Sequence, residues 1–162
     1  MNESDLQVCG TLLKDQKLTI AFAESATAGR VTAEFSLLDD AGSFLKGGFA
    51  CYDVCLKEDA LNVPKALIER YTPESAEVTA AIAIGLSKLI AADIHIGITG
   101  LTAPGGSETA SKPVGTMFIH AIRFGNYFFS DRVVFTGPAK EIVSKTVYHT
   151  AKLLIHHMKI LN

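Results

Sequence analysis

Apolar and polar positions along the chain change period several times, and the changes mark out its elements. Leu6, Cys9 and Leu13 recur at helical spacing after Ser4-Asp5-Leu6-Gln7, which has the form of a capping box, so a first helix is expected to about Lys17. Leu18 to Ala23 is a short, mostly apolar run suited to a strand buried on both faces, and it stops at Glu24-Ser25-Ala26-Thr27-Ala28-Gly29. Val31, Phe35 and Leu38 then return to helical spacing, giving strand, tight turn, helix. A second strand is expected at Gly48 to Tyr52, a short helix over 64–71 opened by Pro64, and a longer one begun by Thr72-Pro73-Glu74-Ser75. That longer helix is apolar on most sides, from Val78 through Ile90, and so is expected in the interior. Ile94 to Ile98 reads as a third strand. It enters a long loop, Thr99 to Pro113, with Gly100, Pro104, Gly105 and Gly106. Val114 to Phe124 and Tyr127 to Phe135 are β-rich runs joined at Gly125-Asn126, and a last helix is expected from Gly137-Pro138 to about Met158. Alternating helices and strands that end in a hairpin predict a layered α/β/α domain. Its sheet should be mixed and mostly parallel, with a C-terminal β-hairpin followed by a helix.

Composition narrows the function classes. The 162 residues suit one domain over 1–162, and no linker, repeat or low-complexity segment divides them. With 48% hydrophobic and 20% charged residues the chain can bury a substantial core. Fifteen Lys and Arg against 17 Asp and Glu leave a net charge of −2, which removes the electrostatic argument for a nucleic-acid partner. No apolar stretch is long enough for a membrane span, and the polar, acidic start is unlike a signal peptide. Cys9, Cys51 and Cys55 form an odd set without a CxxC pair, which reads as reduced thiols in a cytoplasmic protein. The five histidines lack metal-ligand spacing, so no metal is expected. The helix from Ser75 to Ala92 and the last helix are each candidates for core or for an interface between copies, and a homo-oligomer is expected.

In open α/β sheets ligands bind beyond the carboxyl ends of the strands, and two unusual segments fall there: Glu24 to Arg30 and Thr99 to Pro113. Ser25 lies between a buried strand and a helix start, where free N–H groups and the helix dipole favour a developing oxyanion. The simpler alternative is that Ser25 or Thr27 caps a helix beginning near Ala28. The glycine-rich loop could cradle a phosphate with Lys112 as a nearby cation, or it could be an ordinary surface connection. It lacks both the P-loop and the GxGxxG patterns. Tyr52 and Lys57 form a third group. A lysine can act as base for a serine only when burial or a neighbouring cation lowers its pKa, and the alternative is a solvated Lys beside a half-buried Tyr.

These segments, in this order, resemble the CinA C-terminal domain family, whose characterised members are nicotinamide-nucleotide amidases of the PncC type. Ala23-Glu24-Ser25-Ala26-Thr27-Ala28-Gly29 is similar to the family's AESxTGG. Gly47-Gly48 through Tyr52 to Lys57 is similar to GGxxxYSNxxK, and Thr99 to Gly106 with Lys112-Pro113-Val114-Gly115 to TGxAGPGGG…KPVG. The likeness spans nearly the whole chain. In many relatives this domain ends a longer protein, so a free-standing form is expected here.

The resemblance implies a cofactor-free, metal-independent amidohydrolase of pyridine-nucleotide salvage, converting nicotinamide mononucleotide to nicotinic acid mononucleotide and ammonia. Ser25 would be the nucleophile, with Lys57 and Tyr52 moving its proton and N–H groups around Thr27 to Gly29 holding the oxyanion. Substrate binding is expected from Glu24, Thr27, Ala28, Gly29, Gly47, Gly48, Thr99, Gly100, Gly105, Gly106 and Lys112, with Glu24 able to meet a ribose hydroxyl or to orient the helix start, the latter being the favoured role. Four departures stand out. Ala28 and Ala103 replace family glycines, Asp53-Val54 replaces Ser-Asn, and Phe135 to Lys140 lacks the family's arginines, for which Lys140 or Lys145 would have to stand in. Ala28 would be strained if its position requires φ > 0. These departures keep a second reading open: an inactive paralogue serving as a nucleotide-binding or protein-interaction module.

Overall fold

The computed structural model describes residues 3–160, with side chains from Asp5 onward. Helix α1 (Glu3–Asp15) leads to β1 (Ile20–Glu24), α2 (Arg30–Ser36) and a single turn, α3 (Ala41–Phe44), followed by β2 (Leu45–Ala50). Three helices then run in succession, α4 (Val54–Asp59), α5 (Lys65–Tyr71) and α6 (Ala76–Leu89), before β3 (Ile94–Gly100), β4 (Thr116–Arg123), β5 (Asn126–Val134) and α7 (Ala139–Ile160). The capping role expected of the Ser4 side chain lies outside the described residues.

The five strands form one sheet in the order β2-β1-β3-β4-β5. β1 pairs in parallel with both β2 and β3, and the hairpin strands β4 and β5 complete the sheet antiparallel. This is the mixed α/β architecture expected. Its parallel part comes first, because the connections there carry helices and cross over.

Alternation along the strands fills two cores. On one face Ile20, Phe22, Ile94, Ile96, Ile98, Met117 and Ile119 pack with α1, α2 and α7, and Phe22 and Phe35 rings sit 4.8 Å apart. On the other face the small residues Ala21, Ala23 and Gly97 admit α6, whose Val78, Ile82 and Leu86 close a second core with Cys51, Leu61 and Val63. A Cβ on Gly97 would come within 2.3 Å of Thr79 O, so glycine is what lets α6 lie directly on β3. That contact fixes the height of α6 and so delivers its first turn, capped by Ser75 Oγ accepting from Val78 N–H at 3.3 Å, to the carboxyl edge of the sheet.

Among the differences from expectation, three stand out. β2 starts at Leu45 rather than Gly48, with Gly47 and Gly48 inside it and opposite Ala21 and Phe22. Gly48 is required there because a Cβ would lie 2.0 Å from Thr32 Oγ1 of α2. The hairpin turns at Phe124-Gly125, with φ of 50° and 77°, one residue earlier than the Gly-Asn pair indicated. α4 was not expected; Asp53 caps it by accepting from Cys55 N–H at 2.9 Å. Among the described residues no helix is long and apolar enough to cross a membrane.

Candidate active site

Because β2, β1 and β3 are adjacent and parallel, their carboxyl ends open on the same edge, and each sends its next residues into one cleft. Ser25 and Ala26 follow β1, Tyr52 follows β2, and Gly100 to Gly106 follow β3; with Glu74 they line an open space of about 250 Å³. That volume is near the lower end for small-molecule sites.

The turn after β1 is built around Glu24. Its carboxylate is fully buried and accepts five hydrogen bonds: from Thr27 Oγ1 (2.6 Å), Gly29 N–H (3.1 Å) and Val31 N–H (2.9 Å) on one oxygen, and from Thr32 N–H (2.8 Å) and Thr32 Oγ1 (2.6 Å) on the other. Glu24 therefore caps α2 from a distance, and Gly29, at the N-cap position with φ 94°, makes no side-chain cap of its own. Of the two roles open to Glu24, the helix start takes both oxygens. Neither Ser25 nor Thr27 acts as the cap that the simpler alternative required.

Ser25 is consequently free. Its main chain is pinned by Ser25 N–H donating to Ile98 O at 2.9 Å and by Ala28 N–H donating to Ser25 O at 3.2 Å. Its side chain, on a residue 8% exposed, lines the cleft and has no hydrogen-bond partner among the described residues. The N–H groups of Ala28 and Gly29 are spent on Ser25 O and Glu24. Those of Ala26 and Thr27 have no acceptor among the described residues, so the free donors sit one and two residues after the serine. This is one step earlier in the chain than the Thr27 to Gly29 group expected.

Lys57 occupies the buried face of α4 and is 1% exposed. Its Nζ donates to Cys51 O at 2.7 Å and Tyr52 O at 3.3 Å, with no carboxylate among its hydrogen-bond partners. Burial pushes its pKa below the ordinary lysine value, against a smaller opposing pull from its neighbours, Glu74 among them. Tyr52 stands at the lip, 68% exposed.

The remaining candidates divide. Gly100, Gly105 and Gly106 line the cleft with Ala103. Gly105, at φ 98°, donates its N–H to Glu108 at 2.7 Å, a turn that needs glycine. Thr99 is fully buried, its Oγ1 2.8 Å from Thr79 Oγ1, and Gly47 and Gly48 belong to β2. Thr27 and Gly29 serve the α2 start, while Ala28 faces solvent at φ 49°.

Lys112 does not line the cleft. Its Nζ donates to Thr72 Oγ1 (2.7 Å), Glu74 O (2.9 Å) and Ser107 Oγ (2.7 Å), so two protons clamp the loop to the segment that leads into α6 and the third ties the loop to itself. Lys145, a stand-in for the missing arginines, donates to Thr136 O at 2.5 Å and lies away from the cleft with Lys140. Glu74 is the charged cleft residue that sequence reading missed. An acid just before the N-cap Ser75 of a helix expected to lie on the sheet is the signal that was there to find.

Residues 2–158 match the model of the CinA C-terminal domain. The chain belongs to the CinA C-terminal domain family. A putative competence-damage inducible protein of Desulforudis audaxviator is 32% identical over 90% of this chain and 35% of its own length. A CinA-like protein of Desulfotalea psychrophila is 31% identical over 94% of this chain and 36% of its own. The chain thus spans about a third of the length of these curated relatives. Among solved structures, a CinA superfamily protein from Klebsiella pneumoniae superposes with a TM-score of 0.92 at 23% identity, covering 98% of this chain and 99% of that one. One from Escherichia coli gives 0.85 at 25% identity, covering 96% and 93%. The fold of this CinA domain is therefore that of the family. In it Asp53 does the capping that a serine could do at the same position, which accounts for the first residue of the Asp53-Val54 departure.

Proposed function

We propose that this CinA domain is an amidohydrolase that deamidates nicotinamide mononucleotide to nicotinic acid mononucleotide and ammonia. The observation that carries the reading is the unpartnered Ser25 hydroxyl in the cleft, followed by two free N–H groups; Lys57, outside the cleft lining, is held in a buried site without a carboxylate hydrogen-bond partner, on the main chain of the Tyr52 that lines it. Ser25 Oγ attacks the carboxamide carbon, and the free Ala26 and Thr27 N–H groups are the donors for the oxyanion.

The state of Lys57 decides whether the serine can be activated. A neutral amine has two N–H bonds and one lone pair. With its protons directed to Cys51 O and Tyr52 O, the lone pair is left to accept the serine proton, directly or through the Tyr52 hydroxyl. The proton is returned to the leaving ammonia, and water then hydrolyses the acyl-enzyme to the acid.

The test is ammonia release from nicotinamide mononucleotide. Ser25→Ala is expected to abolish it, and Lys57→Met to lower kcat on the order of 100-fold to 1,000-fold. Because the neutral lysine is the active form, activity falls as pH falls. The midpoint of that limb should lie below the ordinary lysine value of about 10.4 and should vanish in Lys57→Met. Full activity in Ser25→Ala would overturn the mechanism.

A further inference from the structure

Glu74 supplies the one charged side chain among the residues lining the cleft. Neither neighbouring lysine bonds its carboxylate directly: Lys57 Nζ is bound to Cys51 O and Tyr52 O, and Lys112 Nζ to Thr72, the Glu74 main-chain oxygen and Ser107, through which alone it reaches the carboxylate. The Glu74 carboxylate is itself steadied, with Oε2 accepting from Ser107 Oγ at 2.5 Å, while Oε1 has no hydrogen-bond partner among the described residues. A half-buried carboxylate with a free oxygen gives the cleft a fixed negative charge beside Ser25 and Tyr52.

The proposed substrate carries two opposite charges: a positive pyridinium ring next to the carboxamide and a negative phosphate beyond the ribose. A carboxylate at short range in a partly desolvated cleft attracts the first and repels the second. The ring charge exists only while the ring nitrogen is substituted and the ring is oxidised. Free nicotinamide and the reduced nucleotide are both uncharged at that position.

On the amidase reading above, we infer that Glu74 is a specificity-determining residue that selects a cationic, N-substituted pyridine carboxamide over its uncharged-ring counterpart. The amide of a neutral ring meets the same nucleophile but forgoes the attraction, so the discrimination is made in binding and orientation, ahead of the chemistry.

The experiment compares two ligands that share carboxamide, ribose and phosphate and differ in ring charge: nicotinamide mononucleotide and its reduced form. Calorimetric titration uses the full-length Ser25→Ala protein, which holds either ligand without turnover. The oxidised nucleotide is expected to bind at least tenfold more tightly than the reduced one. In Ser25→Ala combined with Glu74→Gln, which keeps the shape and can still accept from Ser107, the ratio should fall to about one. A merely structural role for Glu74 would weaken both ligands alike. A ratio that survives Glu74→Gln, an equal loss for both, or no binding of either overturns the assignment. Absence of ammonia release by the unmutated protein, with the binding ratio still collapsing in the glutamine variant, would overturn the amidase reading and leave Glu74's role standing. Ammonia release with a ratio indifferent to Glu74→Gln would do the reverse.

Discussion

The cleft has two walls of different construction. The turn after β1 is buried from Glu24 to Thr27, and it is pinned by the Glu24 carboxylate, by the adjoining strand and by bonds of its own main chain. The loop after β3 is exposed from Ala103 to Gly106 and is fastened at separate points, by Lys112 to the segment that leads into α6 and by Ser111 O to Arg132. A nucleophile and its oxyanion donors must hold position through a reaction, which a buried turn pinned on both sides of them provides. A wall that admits and releases a ligand has to give, and glycine backbone fastened at its far end can do so.

The largest effect should come from removing the keystone of the first wall. Glu24→Ala strips the acceptor from five donors at once, three of them backbone N–H groups. Leaving such groups buried and unpaired should destabilise the protein by on the order of 3–5 kcal/mol, read as a fall in urea midpoint, with ammonia release lost. A change under about 1 kcal/mol would mean that the turn holds itself, and the contrast between the walls would disappear.

That wall also shows what a sequence discloses. Strand, turn and helix were readable around Ser25 because hydrophobic period and breaker residues are local signals. Which residue caps α2 was not, since Glu24 is six residues before the helix begins and reaches it only through the turn's path. The burial of Lys57 was equally hidden: α4 is a short helix without strong periodicity, and its inward face is decided by the core it meets. Glu74 was read as part of a helix start; its place in the cleft depends on how α6 lies on β3, a matter of Gly97 and Thr79 rather than of its neighbours in sequence. The turn at Phe124 went against propensity, with a bulky residue at positive φ where the Gly125-Asn126 pair was the guide.

The second wall is tested by Lys112→Met, which keeps the length and apolar stem but loses three hydrogen bonds. If the lysine is a clamp, KM should rise about tenfold, and by the same factor for the nucleotide and for its dephosphorylated nucleoside, because the loop is loosened for both. A loss confined to the phosphorylated substrate would show instead that Lys112 leaves its clamp to meet the phosphate. The second wall would then be a moving cation rather than a tethered backbone. The effect on stability should be small, about 1 kcal/mol, since the lysine is only half-buried and its partners can turn to water.

The smallest effect isolates strain within the rigid wall. Ala28 sits at φ 49° beside Gly29 at φ 94°, and a left-handed conformation costs a non-glycine residue about 1–2 kcal/mol. Glycine removes that strain but adds roughly 0.5–1 kcal/mol of entropy lost on folding. Ala28→Gly should therefore stabilise by about 0.5–1 kcal/mol, measured as a higher urea midpoint. The side chain faces solvent and does not line the cleft, so kcat and KM should stay within about twofold of the parent. A gain in stability with unchanged kinetics would show that the wall's rigidity comes from Glu24 and not from backbone strain at position 28. A marked change in kcat would mean instead that Ala28 sets the angle at which Ser25 and the Ala26 and Thr27 N–H groups meet the substrate.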